Sequence, residues 1–441
     1  MYNYLSVANA TPTQMKKVTF KTLGCRLNQF ETDALASQFH KNGYQVVDFE
    51  DGADVVVVNT CTVTNQSDSK SNQVIRQAAQ KHRDAMLVVT GCMVNNHREK
   101  LEKSQPNVTW FVDNEHKSSI FSLIDGHFKG EVNHPDHFDK NLFNYEPAEK
   151  TFHTRSMVKI QDGCDNFCTF CIIPKVRGRA TSRPVDEILE NIRQVVEFGY
   201  KEVVLTGVNI GRYDYQGTNF EDLVEKILEL PGDFRLRISS IEPEGFGDKL
   251  FDLFNHPKLT PHLHLCLQSG SDKILLKMRR MYTLKGFTDI VDKVRSRYPD
   301  FNFTTDIIVG FPGETDDDLQ QTIDVVRRIG FGHIHTFKYS TRKGTRAERM
   351  DEQIPEKEKT RRSELIRKLS EEETIRYRRS MLGKTQLVLV EKIIDGVAQG
   401  YGENYIPIKF PAHGIDTNAF VKVKTITVDD SDDHWVMAER V

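Results

Sequence analysis

The stretch CDNFCTFC, residues 164–171, decides how the chain is interpreted, and it directly follows a predicted strand, MVKIQ, at 157–161. Its thiols, Cys164, Cys168 and Cys171, have the spacing C-x3-C-x2-C, with no fourth cysteine close behind. Three thiolates on a cubic four-iron cluster leave one iron without a protein ligand, and a cluster needs an open iron to bind and activate a small molecule. The spacing therefore predicts chemistry at a metal cluster.

Plainer interpretations of the same cysteines stay open. A structural zinc site usually takes four nitrogen or sulfur ligands and often shows two C-x2-C pairs, and here a fourth ligand would have to come from far away in the chain. The cysteines could also be incidental buried residues. A disulfide framework is disfavoured because the chain is long and its 7 cysteines are an odd number.

Length and composition indicate an ordinary multi-domain protein. The chain has 441 residues, 38% hydrophobic side chains and a formal net charge of −3, which suggests about two to three domains and neither favours nor excludes nucleic acid. The first residues lack the apolar core of a secretory signal, and no apolar run approaches the roughly 18 residues that span a bilayer. We therefore expect a cytoplasmic protein with no membrane partner, whose thiols stay reduced and free to bind metal.

The N-terminal region alternates strands and helices. Helical stretches such as Glu31–His40 and Ser69–Lys81 separate runs of β-branched residues, a pattern that predicts a βαβ domain with a parallel sheet. We place this domain at residues 16–127 and a polar linker at 127–154. The strand candidates are Val18–Leu23, Asp54–Thr60, Ala85–Thr90 and Val108–Val112.

The central region, placed at residues 150–380, alternates in the same way over a longer distance. Helical runs such as Pro184–Phe198 and Asp272–Arg297 separate six strand candidates, which predicts a partial (β/α)6 barrel with active residues at the C-terminal ends of its strands. The highly charged segment Arg342–Lys384 predicts a solvated connector helix. The strand candidates are Met157–Gln161, Val203–Thr206, Arg235–Ser240, His262–Gln268, Phe301–Val309 and His333–Tyr339.

The C-terminal region, residues 384–441, predicts a small β-barrel, so the expected fold class is α/β with an added β module. The runs TQLVLVEKI, VAQGYGENYIPIKF and AFVKVKTITV are typical of short strands with Gly and Pro turns, in a class of module that commonly binds nucleic acid. Tyr401, Tyr405, Lys409 and Phe410 interleave aromatic and basic side chains, as stacking on bases requires. An ordinary β domain with surface aromatics explains them equally well.

Three further cysteines each follow a predicted strand of the N-terminal domain. Cys25 follows KTLG, Cys61 follows VVVVNT and Cys92 follows LVVTG. The carboxyl ends of parallel strands meet at one edge of a sheet, where ligands bind, so three thiols far apart in sequence can converge there. We predict a second metal site with three thiolate ligands, against the plainer interpretation that free cysteines are small buried hydrophobes.

Cys266 has a different setting. In the run HLHLCLQS, alternation puts His262, His264, Cys266 and Gln268 on one strand face and three leucines on the other. In a barrel the leucine face packs against helices and the polar face lines the interior. We expect Cys266 to be a packing residue, and the histidines here and in the later run HIH to be hydrogen-bonding groups of the interior rather than metal ligands.

In their order along the chain, these motifs resemble a known family. The cysteine run on the first strand of a six-unit barrel is similar to that of radical S-adenosylmethionine (SAM) enzymes. Nearly the whole chain resembles the methylthiotransferases of that class, which have an N-terminal domain with a three-cysteine cluster, a radical SAM barrel and a C-terminal TRAM domain that holds RNA. The motifs are TLGCRLNQFETDAL, NTCTVT, TGC, QDGCDNFCTFCIIPKVRGRATSR, LTGVNIGRY, RISSIEP, LQSGSDKIL, DIIVGFPGET and YSTRKGT.

Within that family, TLGCRLNQFETDALA and RKGT resemble the MtaB branch. This resemblance implies transfer of a methylthio group to carbon 2 of N6-threonylcarbamoyladenosine, next to the anticodon of tRNA. The branches that act on isopentenyladenosine in tRNA, or on an aspartate of a ribosomal protein, differ around the first two cysteines and stay as alternatives. A non-catalytic iron–sulfur RNA-binding sensor is a further alternative, although it would not explain six β-α units with polar strand ends.

The resemblance implies two 4Fe-4S clusters and SAM as cofactors, and tRNA, an external electron donor and a sulfur source as partners. The cysteines of residues 164–171 would hold the cluster that binds SAM, and Cys25, Cys61 and Cys92 would hold an auxiliary cluster that carries the sulfur. SAM cleavage would supply a radical for the inert C–H bond of the adenine, once the base has left the anticodon stack. The chemistry lies in the clusters, so no catalytic side chain is predicted.

The resemblance also implies contacts with SAM at the strand ends and with RNA just beyond the cluster loop. The competing interpretation is barrel packing for the first set and a solvated face for the second. Arginine forks suit planar anionic groups such as phosphate, and binding to RNA should weaken with salt. The predicted SAM contacts are Phe170, Gly207, Ser239, Ser240, Glu242 and Gln268, and the predicted RNA or substrate contacts are Arg177, Arg179 and Arg183.

Overall fold

A computed structural model describes residues 15–149, 154–429 and 433–441. Three units follow one another along the chain, which are a parallel sheet with helices, an open barrel of parallel strands and a closed β-barrel. Among the described helices, none is long and apolar enough to cross a bilayer. The first 14 residues, where no secretory signal is expected, and residue 150, the predicted start of the barrel, lie outside the described residues.

The first unit is a five-stranded parallel sheet with helices packed on it. Its strands are β1 (Lys17–Thr22), β2 (Gln45–Val46), β3 (Val55–Thr60), β4 (Met86–Gly91) and β5 (Trp110–Val112), and its helices are α1 (Arg26–Lys41), α2 (Asn65–Lys81), α3 (Cys92–Ser104) and α4 (Ile120–Phe128). The strand order is β2-β1-β3-β4-β5, so the four predicted strands are present and β2 is an edge strand that the sequence did not indicate. All residues of β3 are buried, as expected for a strand covered on both faces.

The second unit is an open barrel. Its strands are β6 (Ser156–Lys159), β7 (Gln161–Asp162), β8 (Thr181–Ser182), β9 (Glu202–Thr206), β10 (Asp214–Tyr215), β11 (Thr218–Asn219), β12 (Arg235–Ile238), β13 (Ser240–Ile241), β14 (His262–Leu265), β15 (Asn302–Val309) and β16 (His333–Lys338). Its helices are α5 (Ile173–Val176), α6 (Val185–Glu197), α7 (Phe220–Leu228), α8 (Asp248–Leu253), α9 (Asp272–Lys277), α10 (Leu284–Arg297), α11 (Asp316–Ile329) and α12 (Glu356–Ser380).

The wall of this barrel contains all six predicted strands. The strands β6, β9 and β12 form one parallel sheet, and β13, β14, β15 and β16 form the other. The third predicted strand is divided at Ser239 into β12 and β13. Within the described structure β6 and β16 are the two edges of the wall, so the barrel is open on one side.

The outer helices of the barrel follow from their apolar spacing and their caps. In α6, Ile188, Ile192 and Val195 lie on one face and are buried against the wall. The helix α11 begins with a capping box in which Thr315 and Asp318 exchange hydrogen bonds, and it ends at a left-handed glycine, Gly330. These local signals set the helix ends, and burial of the apolar faces holds the helices on the barrel.

The third unit is a closed five-stranded barrel, which confirms the predicted fold class. Its strands are β17 (Thr385–Ile394), β18 (Val397–Tyr401), β19 (Pro407–Pro411), β20 (Phe420–Val428) and β21 (Val436–Arg440), in the order β17-β18-β19-β21-β20. Phe410 is fully buried in its core, and Lys409 lies over the ring of Trp435. The prediction that Phe410 stacks on bases is therefore wrong, because its strand face points inward.

The closed barrel is docked at the amino-terminal ends of the open barrel's strands. Arg235 donates to the carbonyl oxygens of Leu387 and Tyr401, both at 3.0 Å. The side chain of Asn302 donates to the carbonyl oxygen of Asn404 at 2.7 Å. Main-chain groups of the third unit therefore depend on side chains of the second for their hydrogen bonds, which fixes one unit against the other.

Tyr401 and Tyr405 take part in this docking instead of facing solvent. Their rings stack with centroids 4.8 Å apart, and the Tyr405 hydroxyl accepts hydrogen bonds from Arg155 at 3.2 Å and from Arg26 at 3.3 Å. Burial opposes ionisation of Tyr405, but the surrounding arginines outweigh it and hold the pKa of its phenol below the usual range. The expectation that these tyrosines stack on bases is corrected, since the two rings stack on each other, arginines hold the Tyr405 hydroxyl and Arg155 lies over the Tyr401 ring.

The helix α12 is packed on the barrel, which corrects the prediction of a solvated connector. The Ser370 hydroxyl accepts a hydrogen bond from the main chain of Ile334 on β16 at 3.0 Å, and Ile366 belongs to the barrel core. Arg362 pairs with Glu314 at 2.7 Å in the same contact, with both side chains buried. The apolar stripe of α12 is narrow and is surrounded by many charged residues. For this reason the sequence pattern did not indicate that the helix packs on the barrel.

A first prediction concerns Glu202, which is buried among Arg155, Arg235 and Arg237. Burial opposes its ionisation, but the arginines outweigh burial and hold the pKa of this carboxyl well below its usual range. The change Glu202→Gln is expected to lower the free energy of unfolding by about 3–5 kcal/mol, because it leaves buried arginines uncompensated. The check is the urea midpoint, with the exposed Glu190→Gln as control, expected within about 0.5 kcal/mol of the parent. Equal midpoints for all three proteins would contradict this prediction.

Candidate functional site

The N-terminal cysteines, Cys25, Cys61 and Cys92, meet at one edge of the first sheet. They follow β1, β3 and β4, which are neighbours in that sheet. At Gly24, where φ is 98°, a Cβ atom would lie 2.8 Å from the Cβ and 3.0 Å from the Sγ of Cys61. Only glycine lets the Cys25 loop pass this close, so the convergence that strand ends suggest is present in the structure.

The thiols of the N-terminal cysteines also affect one another electrostatically. Burial raises the pKa of the Cys61 thiol, and the proximity of Cys92 and Cys25 raises it further. Cys25 keeps exposed surface but is crowded by protein, and desolvation raises its pKa while Arg177 opposes the increase. Metal binding relieves this cost, because a metal takes the thiolate form as its ligand.

The barrel cysteines, Cys164, Cys168 and Cys171, lie in the loop between β7 and α5 at the C-terminal end of the first wall strand. Gly163, with φ 69°, turns the chain into this loop, and a Cβ atom there would lie 2.0 Å from the carbonyl oxygen of Arg179. Burial raises the pKa of Cys171 to about 12, and the neighbouring Cys168 and Cys164 contribute to the increase. These thiols too are close neighbours.

Arg280 contacts the barrel cysteines, and sequence reasoning missed it. Its Nη1 donates to the Sγ of Cys168 at 3.2 Å, its Nε donates to the Tyr282 hydroxyl at 3.1 Å, and it pairs with Glu242. A buried cation at this distance favours the thiolate form of a ligand. In the run KMRRM nothing distinguishes Arg280 from Arg279, so the sequence carried no signal for this contact.

Neither cysteine set forms a compact single-ion site among the described residues. Two thiolates on one zinc ion lie roughly 3.8 Å apart, as Zn–S bonds of about 2.3 Å in tetrahedral geometry require. In neither cysteine set, within the part of the chain that the structure describes, do all three sulfur atoms lie within 4.8 Å of one another. Three thiolates at wider spacing suit the corners of an iron–sulfur cluster.

An open cavity of about 200 Å³ lies at the boundary between the first unit and the barrel. Val63 and Thr64, just beyond Cys61, line it from the first unit, and Cys171 and Gln268 line it from the barrel. Residues beside both cysteine sets therefore face one cavity.

The two cysteine sets are also joined by a small apolar cluster. Cys92 packs with Ile172 and Val176, and Ile172 directly follows Cys171. The side chain of Asn114 donates to the carbonyl oxygen of Val176 at 2.9 Å and lies 3.8 Å from the Sγ of Cys92. The sequence left open whether the two sets come close, and the structure brings them to one interface.

Three of the predicted SAM contacts lie at this interface. Phe170 and Gln268 line the cavity, and Gln268 adopts a left-handed conformation with φ 66°, which is uncommon for this residue type. Glu242 lies beside the barrel cysteines, where it pairs with Arg280. The positions of these three residues fit cofactor contact, which stays a prediction.

The other three predicted SAM contacts have packing roles. At Gly207 a Cβ atom would lie 2.7 Å from the carbonyl oxygen of Gln161, so the strand ends of β6 and β9 approach closely there. Ser239 is buried at the break between β12 and β13, and Ser240 pairs with His264 in the register of β13 and β14. The competing interpretation, barrel packing, describes these positions, and their contact with SAM stays a prediction.

The three predicted RNA contacts have different environments. Arg177 is buried and pairs with Asp162 at 2.9 Å, and Arg183 is buried just before α6, where it donates to Asn191 of that helix. The partners of these two arginines inside the protein compete with contact to RNA or substrate, which stays a prediction. Arg179 keeps 73% of its side chain exposed, pairs with Asp165 at 2.8 Å and lies over the ring of Phe167, so it is accessible to RNA and its contact with RNA stays a prediction.

A compact polar group lies inside the barrel, next to the cavity. Ligand-type atoms of His264, Cys266 and Asp306 lie within 4.8 Å of one another, and His264 contacts Asp306 at 3.2 Å and Thr304 at 3.0 Å. Burial opposes ionisation of Asp306, but His264 outweighs it and lowers the pKa of the carboxyl. These contacts agree with hydrogen-bonding interior histidines and a packed Cys266, and they place a carboxylate on the cavity wall.

Comparison with known families matches two parts of the chain. A family model described as Radical SAM superfamily matches residues 158–326, and one described as Uncharacterized protein family UPF0004 matches residues 17–113. The structure of a radical SAM methyltransferase, TsrM from Kitasatospora setae with cobalamin and a 4Fe-4S cluster bound, superposes with a TM-score of 0.53. That match covers 74% of this chain and 75% of the other at 14% identity, so it supports the fold alone.

Comparison with curated proteins matches nearly the whole chain. Relatives named threonylcarbamoyladenosine tRNA methylthiotransferase MtaB are 37% identical in Thermotoga maritima, over 94% of this chain and 95% of the relative, and 36% identical in Bacillus subtilis, over 93% and 94%. A relative from Fusobacterium nucleatum named tRNA-2-methylthio-N(6)-dimethylallyladenosine synthase is 38% identical over 86% of this chain and 88% of its own.

A second prediction is that each cysteine set holds its own iron. Replacing all three residues of either set with Ala is expected to remove about half of the iron bound after anaerobic reconstitution with iron and sulfide, because the sets lie on separate units with separate ligands. Cys266→Ala is the matched control and should bind as much iron as the parent. Iron and labile sulfide assays check this, and a triple variant with undiminished iron would contradict it.

Proposed function

Because this chain belongs to the radical SAM tRNA methylthiotransferases, we propose that it transfers a methylthio group to carbon 2 of N6-threonylcarbamoyladenosine next to the anticodon of tRNA. Its cofactors are two 4Fe-4S clusters and SAM. The observation that carries the proposal is the cavity at the boundary of the two units, which is lined by Cys171 of the barrel set and by Val63 and Thr64, just beyond Cys61. Sulfur insertion into a base needs the radical source and the sulfur at the same atom, and residues beside both sets face this cavity.

The residues of the chain place and shield the cofactors. The barrel cysteines would hold the cluster that binds SAM, and the N-terminal cysteines would hold the auxiliary cluster. When bound, these groups supply the one-electron and sulfur-transfer chemistry, which the protein itself does not provide. Arg280 donates to Cys168 and steadies its thiolate, and Phe170 lies beside Cys171 with its ring against Phe311, which keeps one side of the site apolar.

The choice of nucleoside follows from the relatives rather than from the cavity. Relatives named MtaB align over 93% and 94% of the chain, whereas the Fusobacterium relative with the dimethylallyl name aligns over 86%. Identity does not separate the two names, since 37% and 38% are nearly equal. Two observations favour threonylcarbamoyladenosine as the substrate. These MtaB relatives align over more of the chain, and the motifs around Cys25 and in RKGT resemble those of the MtaB branch.

The partners follow from this reaction. The substrate is tRNA, so we place the protein in the cytoplasm. An external electron donor and a sulfur source complete the cycle, because the reaction consumes both. Near the cluster loop, Arg179 and Phe167 form an exposed pair of a cation and an aromatic ring, a combination that suits contact with phosphate and a base.

The target base has to leave the anticodon stack in order to enter the cavity. Phe337, on β16, lines the cavity and keeps 44% of its surface exposed. An exposed aromatic ring that lines a cavity offers a face on which a base can stack. We assign Phe337 as the side chain on which the extruded adenine stacks.

A third prediction tests the nucleoside. In a bacterial strain that lacks 2-methylthio-N6-threonylcarbamoyladenosine, the gene for this chain is expected to restore that nucleoside in tRNA. Variants in which either cysteine set is replaced are expected not to restore it. Mass spectrometry of tRNA nucleosides is the measurement. Appearance of the 2-methylthio isopentenyl nucleoside instead would assign the chain to that substrate, and no change in either would favour the ribosomal-protein or sensor alternatives.

A fourth prediction tests the stacking residue. Phe337→Ala is expected to raise KM for tRNA roughly 5- to 150-fold, since stacking on an aromatic side chain contributes about 1–3 kcal/mol per base. Phe337→Trp should restore the parent KM, and kcat at saturating tRNA should change less than KM. The control is Phe198→Ala, which removes an aromatic ring of similar exposure at the end of α6. A parent-like KM for Phe337→Ala would show that the base does not stack there.

A further inference from the structure

Five buried charged side chains join the first unit to the barrel, and the proposed chemistry uses none of them. Each has at most 1% of its side chain exposed. Two belong to the first unit and three to the barrel. These residues, called the charged junction below, are Glu31, Lys117, Lys159, Asp162 and Arg177.

The ion pairs of the charged junction cross the boundary between the two units. Glu31 pairs with Lys117 at 2.5 Å, with Arg177 at 3.0 Å and with Lys159 at 3.2 Å. Asp162 pairs with Lys159 at 2.6 Å and with Arg177 at 2.9 Å. Burial opposes ionisation of both carboxyls, but the effect of the neighbouring cations is larger. The cations hold the pKa of Asp162 below its usual range and the pKa of Glu31 well below its usual range.

The charged junction holds three cations and two carboxylates, so formally one positive charge is in excess. An uncompensated buried charge is costly, and native proteins rarely keep one without a nearby partner of opposite sign. The N-terminal cysteines lie next to this charge. The Nζ of Lys117 donates to the Oδ1 of Asn59, two residues before Cys61, at 3.2 Å, and a Cβ atom at Gly91, directly before Cys92, would lie 2.7 Å from the same oxygen.

Asn28 ties the charged junction to the loops that carry two of the N-terminal cysteines. In the first turn of α1, its Nδ2 donates to the carbonyl oxygens of Leu23 at 2.7 Å and Thr60 at 3.1 Å. Its Oδ1 accepts from Nη2 of Arg177 at 2.6 Å. Hydrogen bonds therefore run from Arg177 to the residues just before the cysteines of β1 and β3, which hold the charge at a fixed place relative to the thiols.

We propose that Lys117 and Arg177 are positioning residues that set the reduction potential of the auxiliary cluster. This inference rests on the proposed function, since it requires a cluster on the N-terminal cysteines. A cluster held by thiolates is anionic, and reduction adds a further negative charge. Fixed positive charge in a buried, weakly screened site stabilises the reduced form more than the oxidised form, so the excess cation raises the potential.

The test isolates the auxiliary cluster and measures its midpoint potential. The full chain with the barrel cysteines replaced by Ala is reconstituted anaerobically with iron and sulfide and titrated, with electron paramagnetic resonance as the readout. In this reference chain, Lys117→Met removes a positive charge and is expected to shift the potential to a more negative value. Glu31→Gln removes a negative charge and is expected to shift it to a more positive value. A purely structural role does not produce shifts of opposite sign.

Matched variants separate charge from packing. Arg177→Lys keeps the charge and should keep the potential near the reference, whereas Arg177→Gln should lower it. Arg362→Met removes a buried cation from the α12 contact and should leave the potential unchanged. Should Lys117→Met fail to fold, the two Arg177 variants carry the same comparison.

Two results would overturn the inference. Equal potentials for the reference, Lys117→Met and Glu31→Gln would do so, as would shifts of the same sign in both variants. A reference chain that folds but binds no iron would instead overturn the assignment of a cluster to the N-terminal cysteines, on which the proposed function depends. The iron assay of the reference chain therefore distinguishes failure of this inference from failure of the proposed function.

Discussion

The ion pair between Glu31 of the first unit and Arg177 of the barrel is the interaction on which the site depends. Both side chains are buried almost completely, and separation of the two units would break this pair and leave Glu31 with Lys117 alone and Arg177 with Asp162 alone. Losing one partner of such a pair costs several kcal/mol, about 3–5 in measured cases. The two units are therefore held in one relative position, and the cavity at their boundary keeps its shape because of it.

The barrel makes specific contacts with the other units at both ends of its strands. At the carboxyl ends, the loop of the barrel cysteines meets the first unit through Ile172 and Cys92. At the amino ends, the closed barrel is held by arginines that surround Tyr405. Arg26, which directly follows Cys25, also reaches Tyr405, so all three units contact one another. A change in the docking of the closed barrel therefore has a direct structural route to the auxiliary site.

Much of the fold and both cysteine sets could be predicted because their signals are local. The strands are short runs of β-branched residues, and parallel strands place their carboxyl ends together wherever the sheet lies. The arginines of the run KVRGRATSR show where this reasoning stops. Arg177 is buried in an ion pair, Arg179 is exposed and Arg183 is buried against α6, although the three are near neighbours in sequence. Their environments depend on partners far away in the chain, which no local pattern reveals.

The sequence by itself determined the chemical character of the protein: six thiols in two sets of three, each at the ends of parallel strands, and an order of motifs that names the family. The tertiary structure decided what those thiols share. It placed residues beside both sets around one cavity, brought Arg280 into contact with Cys168 and concentrated buried positive charge next to the loops of the N-terminal cysteines. The reason is that ligand type and spacing are properties of short segments, whereas burial and charge balance arise only when distant segments pack together.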